Sequence, residues 1–180
     1  MKRILITLLA GCSSSVALAA ELEMPTRYDW IGGHLSQYVW DFNSRGQDRL
    51  SDTTLAGLQL GRRFSPNWSV QAWWERNNAR FDVTRVAVDL TVVHGSLRYH
   101  FVDSRHGGWE PYAGIGAGQS RIDNNTFKDE QTIITAEAGV QRRLRPHWIF
   151  DAGVRPSYGF DNEQSDAEAY LGLNLLFGER

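Results

Sequence analysis

Two short stretches of the sequence combine a histidine with a serine, residue types that can transfer or hydrolyse acyl groups. They are His34-Leu35-Ser36 and His94-Gly95-Ser96. Such chemistry requires a serine, a histidine and a carboxylate to converge, so that the histidine can accept the proton of the attacking hydroxyl. Whether either stretch meets this requirement depends on where its side chains point, and therefore on the elements that carry them.

Other reactive groups are sparse. Cys12 is the only cysteine, and the five histidines are scattered without the spacing of a metal site. The polar stretch IDNNTFKDE, residues 122–130, lacks the ligand spacing of a known calcium loop. A net charge of −2 gives no basic field for nucleic acid. The sequence therefore predicts no metal, no cofactor and no nucleic-acid partner.

The stretch WIFDAGVRPSY, residues 148–158, has the alternation of a half-buried strand. Phe150 and Val154 fall on one face, whereas Asp151 and Arg155 fall on the other. In a soluble protein the apolar face would meet the core. In a membrane barrel it would meet lipid, and the charges would point inward.

Segments of this kind follow one another along the chain. Eight are predicted, near residues 27–41, 53–64, 68–78, 83–101, 110–121, 131–143, 147–160 and 166–177. Tight turns at 64–68 and 144–148 and a somewhat longer one at 102–108 alternate with generally longer polar connections. Outer-membrane barrels place short turns in the periplasm and longer loops outside, so both termini are expected in the periplasm.

Aromatic residues mark the strand ends next to the short turns. They are Phe64, Trp68, Phe101, Trp109, Trp148 and Phe177. At one height of a barrel they would form the girdle that lies at a membrane interface. On a soluble barrel they would leave large apolar patches in water, which are rare.

The soluble alternative is a lipocalin-like cup that holds an apolar ligand. Gly107-Gly108-Trp109 matches the short glycine-x-tryptophan signature of lipocalins, but it lies mid-chain and no disulfide accompanies it. We therefore predict an all-β fold, an eight-stranded antiparallel up-and-down transmembrane β-barrel. Eight strands enclose a space that side chains can fill, so the interior is expected to be polar and filled.

The inward faces of the strands predict a polar network inside the barrel. Its members are His34, Gln71, Glu75, Arg98, Glu137, Gln141, Asp151 and Arg155. An unpaired buried charge costs several kcal/mol, so matched partners are expected. Asp151 would take Arg98 or His34 as its cation.

Pairing across the Arg145-Pro146 turn would place Glu137 opposite Gly153. An ion pair between Glu137 and Arg155 is therefore expected. Pro156 lies in the same strand and cannot donate to a ladder, which predicts a bulge or an exit from the ladder there.

The segment from Val83 to Phe101 changes face. Val88 and Leu90 fit one alternation, whereas Leu97 fits the other. A bulge near Val92-Val93 would reconcile the two halves.

The N-terminus has the form of a secretory signal peptide over residues 1–20, with two basic residues, an apolar stretch and small residues before the cleavage site. Residues 21–180 would then be the outer-membrane β-barrel domain. Cleavage there would remove Cys12 and leave no thiol chemistry. The alternative is that LAGC, residues 9–12, is a lipoprotein box in which Cys12 is acylated.

Several stretches together resemble the N-terminal barrel of the OmpA/OprF family of outer-membrane proteins, over residues 25–178. They are GSLRYHF, EPYAGIGAG, AEAGVQRRLRPHWIFDAGV and YLGLNLLFG. The resemblance implies an eight-stranded barrel with a periplasmic N-terminus, inserted by the barrel assembly machinery. Tyr170, Gly172, Leu175 and Phe177 resemble the terminal-strand insertion signal, with Leu175 in place of the usual aromatic residue.

The sequence departs from this family in two respects. Larger members carry a peptidoglycan-binding domain after the barrel, and the sequence ends at Arg180, so no wall-tethering role is expected. OmpA-type barrels also hold a luminal gate of Lys, Arg and Glu. The corresponding positions are His34, Gln71, Gln141 and Asp151, where the charges are mostly neutralised or swapped.

The sequence therefore predicts a non-enzymatic integral protein of the bacterial outer membrane, with a structural role and at most a narrow, low-conductance pore. One alternative is a small enzyme that modifies lipid A, although strand parity points both histidine–serine stretches into the lumen. Another is a lateral conduit for small hydrophobic molecules with its wall defect at Pro156, although a polar lumen argues against it. Expected partners are outer-membrane lipids, lipopolysaccharide and the assembly machinery, and a monomer is expected.

Overall fold

Eight long strands make up most of the described chain. The computed structural model describes residues 24–39, 53–81, 84–104, 106, 108–124, 126, 128–160 and 164–179. The predicted signal peptide, residues 1–20, and Cys12 lie outside these residues. No helix in the described segments is long and apolar enough to cross a membrane.

The strands run antiparallel and close into a barrel in chain order. They are β1 Tyr28–Val39, β2 Thr53–Arg63, β3 Trp68–Arg80, β4 Ala87–His100, β5 Trp109–Asp123, β6 Lys128–Arg145, β7 Trp148–Gly159 and β8 Gln164–Phe177. Each strand pairs with the next, and β1 pairs with β8 to close the sheet. This arrangement confirms the predicted eight-stranded up-and-down barrel. The strand starts differ most from prediction at β4 and β6.

The two ends of the barrel differ in their connections. At what we call the turn end, the strands are joined through residues 64–67, 101–108 and 146–147. Because the number of strands is even, the first and last described residues lie at this same end. The opposite end, which we call the loop end, carries the connections that follow β1, β3, β5 and β7.

The polarity of the barrel wall is opposite to that of a soluble β-protein. Val154 and Leu171 face outward and are each 54% exposed, whereas Glu137 and Arg155 face inward and are 4% and 2% exposed. Alternate side chains therefore present an apolar surface outward and polar groups to the interior, as a membrane-spanning barrel requires.

The predicted bulge near Val92 and Val93 is wrong. The strand keeps one register over Ala87–His100 against both of its neighbours. What changes at this point is the polarity of both faces at once. Inward side chains are apolar up to Val92 and polar from His94, and outward side chains change in the opposite sense. This is expected where the medium outside a strand changes from lipid to water.

Outward side chains change from apolar to polar at matching register positions in β3, β4, β5 and β6. The segments beyond this change form what we call the loop-end extension, residues 76–80, 87–92, 119–123 and 128–133. Its outward face carries exposed charges such as Arg76, Asp89 and Glu130. Part of its inward face joins β1 and β2 in an apolar cluster, the loop-end cluster, formed by Tyr38, Leu55, Ala79, Val88, Leu90, Val92 and Ile133. The polar side chains of Ser120 and Gln131 are buried on the same face.

The ladder between β6 and β7 is interrupted beside Pro156. The strands pair at Thr135–Ser157 and again at Ala138–Val154, but not at the two positions between them. Since the register is the same on both sides, the chain leaves the ladder there without a bulge, the second of the two predicted outcomes. Proline has no N–H to donate, which accounts for the gap.

Candidate functional site

The interior of the barrel is arranged in three layers along its axis. The central layer holds most of the buried charge: His34, Glu75, His94, Arg98, Glu137, Asp151, Arg155 and Glu168. A smaller polar layer lies toward the turn end: Arg63, Ser69, His100, Glu110 and Gln141. The same layer ends in an apolar group still closer to the turn end: Met24, Tyr28, Trp30, Ile149 and Leu176. The loop-end cluster forms the third layer.

Arg98 holds two carboxylates at the centre of the barrel. Its Nε and Nη2 donate to Glu137 at 2.8 and 3.0 Å, and its Nη1 donates to Asp151 at 2.9 Å. The guanidinium also lies 4.1 Å from the centre of the Tyr112 ring. All these groups are buried, so each charge depends on the others for compensation.

Arg155 lies against the face of Trp73, 3.7 Å from a ring centre. Its Nη1 donates to Glu168 and lies 2.6 Å from Nε2 of His94. Its Nη2 is 3.6 Å from Oε2 of Glu137, which is the ion pair expected from the sequence. Glu168, which faces Arg155 in the β7–β8 ladder, is nevertheless the closer partner. This cation therefore joins β6, β7 and β8.

The first histidine–serine stretch is bound to a carboxylate of another strand. Glu75 accepts hydrogen bonds from His34 at 2.6 Å, from Ser36 at 2.9 Å and from Tyr38 at 3.1 Å. His34 and Ser36 thus share one acceptor and are not arranged as a base and its nucleophile. All four side chains are buried inside the barrel.

The second stretch is divided between two partners. Ser96 donates to Oε1 of Glu137 at 2.8 Å, whereas His94 accepts from Arg155. A histidine nitrogen that accepts from a guanidinium is not available to accept a hydroxyl proton. The geometry of both stretches therefore suits polar packing rather than acyl transfer.

A third combination of serine, histidine and acid lies in the layer near the turn end, and the sequence analysis missed it. Oγ of Ser69 is 2.7 Å from Nε2 of His100, whose Nδ1 is 3.1 Å from Glu110. Arg63 donates to Glu110 at 2.6 Å, and Gln141 donates to the same carboxylate at 2.7 Å. The spacing is that of an acyl-transfer triad. Ser69 is 0% exposed, however, so its hydroxyl presents no surface to a substrate.

Residues 4–177 match the family described as outer membrane protein beta-barrel domain. The chain belongs to this family. It is an integral β-barrel protein of the bacterial outer membrane, of the OmpA/OprF type.

Individual relatives of this outer-membrane barrel agree with that assignment. Outer membrane porin F of Pseudomonas fluorescens is 33% identical over 88 residues, which cover 46% of this chain and 27% of porin F. The chain thus aligns with about a quarter of that relative's length. The N-terminal β-barrel domain of Pseudomonas aeruginosa OprF is similar in fold, with a TM-score of 0.54 at 17% identity over 81% of this chain and 97% of that domain. Neisserial surface protein A is similar as well, with a TM-score of 0.61 at 16% identity over 84% of this chain and 97% of its own.

The network predicted for the lumen of the outer-membrane barrel divides between two layers. All eight predicted side chains are buried: His34, Gln71, Glu75, Arg98, Glu137, Gln141, Asp151 and Arg155. Seven lie in or beside the central layer, where Gln71 donates to Glu137 at 3.4 Å, but Gln141 belongs to the layer near the turn end. The positions that correspond to the OmpA-type gate are therefore not assembled at one point.

The predicted pairing of Glu137 with Gly153 is wrong. Gly139 lies opposite Gly153, and Gln141 lies opposite Asp151. The predicted register was displaced by two residues because the sequence does not reveal where the turn begins. The pairing also shifts next to that turn, between Arg143 and Arg145 of β6.

Sequence reasoning also missed part of the central layer. Glu168 binds Arg155, and Tyr112 donates to Asp151. Tyr170 lies 3.2 Å from Nη2 of Arg98. The alternation along each strand could have revealed these residues, because it puts their polar side chains on the inward face.

The aromatic residues assigned to a girdle lie together at the turn end. Trp68, Trp109 and Trp148 are the first residues of β3, β5 and β7. Phe64 and Phe101 directly follow β2 and β4, and Phe177 is the last residue of β8. Trp109 is half-buried and the other five are exposed.

In the predicted insertion signal, Leu175 and Phe177 face outward, whereas Tyr170 faces the lumen. The girdle and insertion roles stay predictions.

Proposed function

We propose that this outer-membrane barrel is a non-enzymatic structural protein of the envelope whose interior passes ions poorly or not at all. The observation that carries the proposal is the filling of the interior by three successive layers. The two central guanidinium groups are ion-paired with buried carboxylates, and apolar clusters lie inside the barrel toward both ends. An ion would have to displace buried, compensated charges, which is costly.

Planar-bilayer recordings of the purified full chain test this proposal. The expected result is silence or small, brief steps. Large, stable currents like those of a general porin would contradict it. Folding is checked beforehand with a gel in which a folded barrel migrates faster unheated than boiled, so that silence is not mistaken for the silence of an unfolded sample.

We also propose that the turn end faces the periplasm, with both termini there. The support is the contrast between short turns at one end and a charged extension at the other. Thr126→Cys near the loop end and His147→Cys in a turn provide matched labelling sites, since both residues are exposed. A membrane-impermeant maleimide added to intact cells should label Thr126→Cys only. Labelling of His147→Cys alone would reverse the orientation.

The absence of enzyme activity is part of the proposal, and its support is the burial of every serine–histidine combination described above. Mass spectrometry of lipid A from cells with and without the gene tests it. Identical acylation is expected, and a gained or lost acyl chain would contradict it. An uptake assay with a labelled fatty acid tests the conduit alternative, against which the loop-end cluster counts, because it places apolar side chains inside the described part of that end.

The remaining partners are likewise proposals. Lipids and lipopolysaccharide would surround the apolar band, and the assembly machinery would insert the barrel through its last strand. A monomer is proposed because every strand is paired within the chain's own closed sheet. Sedimentation in detergent should give one chain per particle.

A further inference from the structure

We propose that Arg142 and Arg145, on the outward face of the turn end, bind the phosphate group of an anionic glycerophospholipid. This inference rests on the proposed orientation, in which the turn end faces the periplasm and borders the leaflet that consists of glycerophospholipids. It adds a defined headgroup site to a protein otherwise assigned a structural role.

The two arginines lie at the end of β6, next to the short turn that leads to β7. Arg142 lies opposite Phe150, and Arg145 lies opposite Trp148, so each shares the outward face with its partner. Residues three apart in a regular strand point to opposite faces. The register shift between Arg143 and Arg145 removes this difference. The irregularity in the ladder therefore aims a second cation outward.

Arg142 lies among residues of the predicted aromatic girdle. Its guanidinium carbon is 5.5 Å from the centre of the Trp109 ring, and its side chain is half-buried. Trp109 also packs edge-to-face with Phe150, with 6.0 Å between the ring centres. Because tryptophans of a girdle lie at the level of the lipid headgroups, the guanidinium is held at that level as well.

The height of Arg142 on the wall agrees with this placement. It is eight residues from Ile134, at which the outward face of β6 becomes apolar. Eight residues correspond to about 26 Å along a strand and about 20 Å in height at a tilt of about 40°. The apolar band of an outer-membrane barrel is about 25 Å tall, so Arg142 lies near the edge of the band. Ala138 and Val140 continue the outward face into it, where acyl chains lie.

Neither arginine has a counter-ion on the described part of the protein. The carboxylates described at the turn end are those of Asp29, Asp103, Glu110 and Glu179. None of the described carboxylates lies within 4.0 Å of Arg142 or Arg145. The intervening Arg143 does have one, since it binds Glu179 at 2.7 Å. An unmatched guanidinium beside lipid favours an anion, and a phosphate group accepts two of its hydrogen bonds at once.

Two arginines with carboxylate partners provide a matched comparison. Arg62 also lies on the outward face at the turn end, where its Nε and Nη2 donate to Asp29 at 2.6 and 3.0 Å. Arg121, in the loop-end extension, is paired with Asp123. In both cases a carboxylate already occupies a place that a phosphate would take. Replacing Arg62 and Arg121 removes the same charge as replacing the two arginines of β6.

The experiment measures lipid binding to the purified full chain in detergent by native mass spectrometry. Phosphatidylglycerol should bind more tightly than phosphatidylethanolamine with the same acyl chains, because only the former carries a net negative charge. Arg142→Gln/Arg145→Gln should lower the affinity for phosphatidylglycerol at least about tenfold, since each cation at a membrane surface contributes to anionic lipid binding. Arg62→Gln/Arg121→Gln should change it by less than about twofold. Heat-modifiability verifies that each variant is folded.

Two further arms test the geometry of the site and the need for the acyl chains. Trp109→Leu keeps both cations but removes the ring beside Arg142, and it should lower the affinity about two- to fivefold. Excess inorganic phosphate should not displace the bound lipid.

Equal affinity for the two lipids, equal losses in the two double variants, or full displacement by inorganic phosphate would overturn the proposal. Labelling of His147→Cys alone in intact cells would contradict the proposed orientation instead. That result would leave the affinities of the purified chain unchanged, so the two failures can be told apart.

Discussion

The membrane-embedded part of the barrel and the loop-end extension use the same strands in one continuous register, yet their faces have opposite polarity. In the embedded part of β4, Leu97 faces outward and Arg98 inward. In the extension, Asp89 faces outward and Leu90 inward. Backbone pairing is the same in both, so the medium outside the wall determines which side chains are buried. The embedded part therefore buries ion pairs in its interior, whereas the extension buries mainly apolar side chains.

The largest effect on stability is expected when a cation is removed from the embedded part. Arg98→Met leaves Glu137 and Asp151 buried without their main partner. Breaking a buried ion pair on one side typically costs about 3–5 kcal/mol. Urea unfolding of the protein in lipid vesicles should show a loss of that size in the free energy of unfolding.

Arg62→Met is the matched control, because Arg62 also binds its carboxylate, that of Asp29, through Nε and Nη2, at 2.6 and 3.0 Å. Its side chain is 68% exposed. An exposed pair contributes about 0–1 kcal/mol, so little change is expected. Equal losses in the two variants would mean that burial of the central charges has no special role.

The next test removes an apolar side chain from the extension. Leu90→Ala opens a cavity in the loop-end cluster, where Leu90 is 0% exposed, and should cost about 2–5 kcal/mol. Val86→Ala removes apolar atoms from a water-exposed position beside the start of β4, where Val86 is 43% exposed, and should change stability by no more than about 0.5 kcal/mol. If both variants lost the same stability in urea, the extension would not be stabilised by burial.

How far the sequence predicts this barrel can be seen in β4. Alternation along each strand indicated the inward residues, including Arg98 and Glu137. The same alternation misled at Val92, where the change of medium imitated a bulge. Because the alternation repeats every two residues, a shift of two residues between adjacent strands keeps the same side chains inward. The pattern therefore does not distinguish Glu137 from Gly139 as the residue opposite Gly153.

Contacts across the lumen were harder to predict than those within a pair of strands. Gln59 donates to Asn174 at 2.6 Å, although the two are 115 residues apart. Arg63 and Glu110 form an ion pair between strands that are not neighbours. Such contacts depend on strand tilt and stagger around the closed sheet, which residue patterns do not specify.

A smaller effect on stability is expected from an arginine scan along β4, which locates the boundary between the two regions. Arginine is introduced in turn at outward positions of β4, from Asp89 in the extension to Leu97 in the band. Arginine at the middle of the bilayer costs about 2–4 kcal/mol on a lipid-facing position, and near the interface about 0–1 kcal/mol. Leu97→Arg should therefore be much less stable than Asp89→Arg. A uniform cost along the strand would contradict the placement of the membrane surface near Val93.

The smallest effect concerns the buried triad near the turn end. Ser69→Ala removes the hydroxyl that lies 2.7 Å from His100, while Glu110 keeps its bonds to Arg63 and Gln141. A single buried hydrogen bond contributes about 1 kcal/mol, so a loss of that size is expected in urea unfolding. Because Ser69 is enclosed, the unmodified protein should not react with a fluorophosphonate probe in detergent. Labelling that disappears in Ser69→Ala would mean that the triad opens to substrates, and the embedded part would then hold a reactive centre as well as compensated charge.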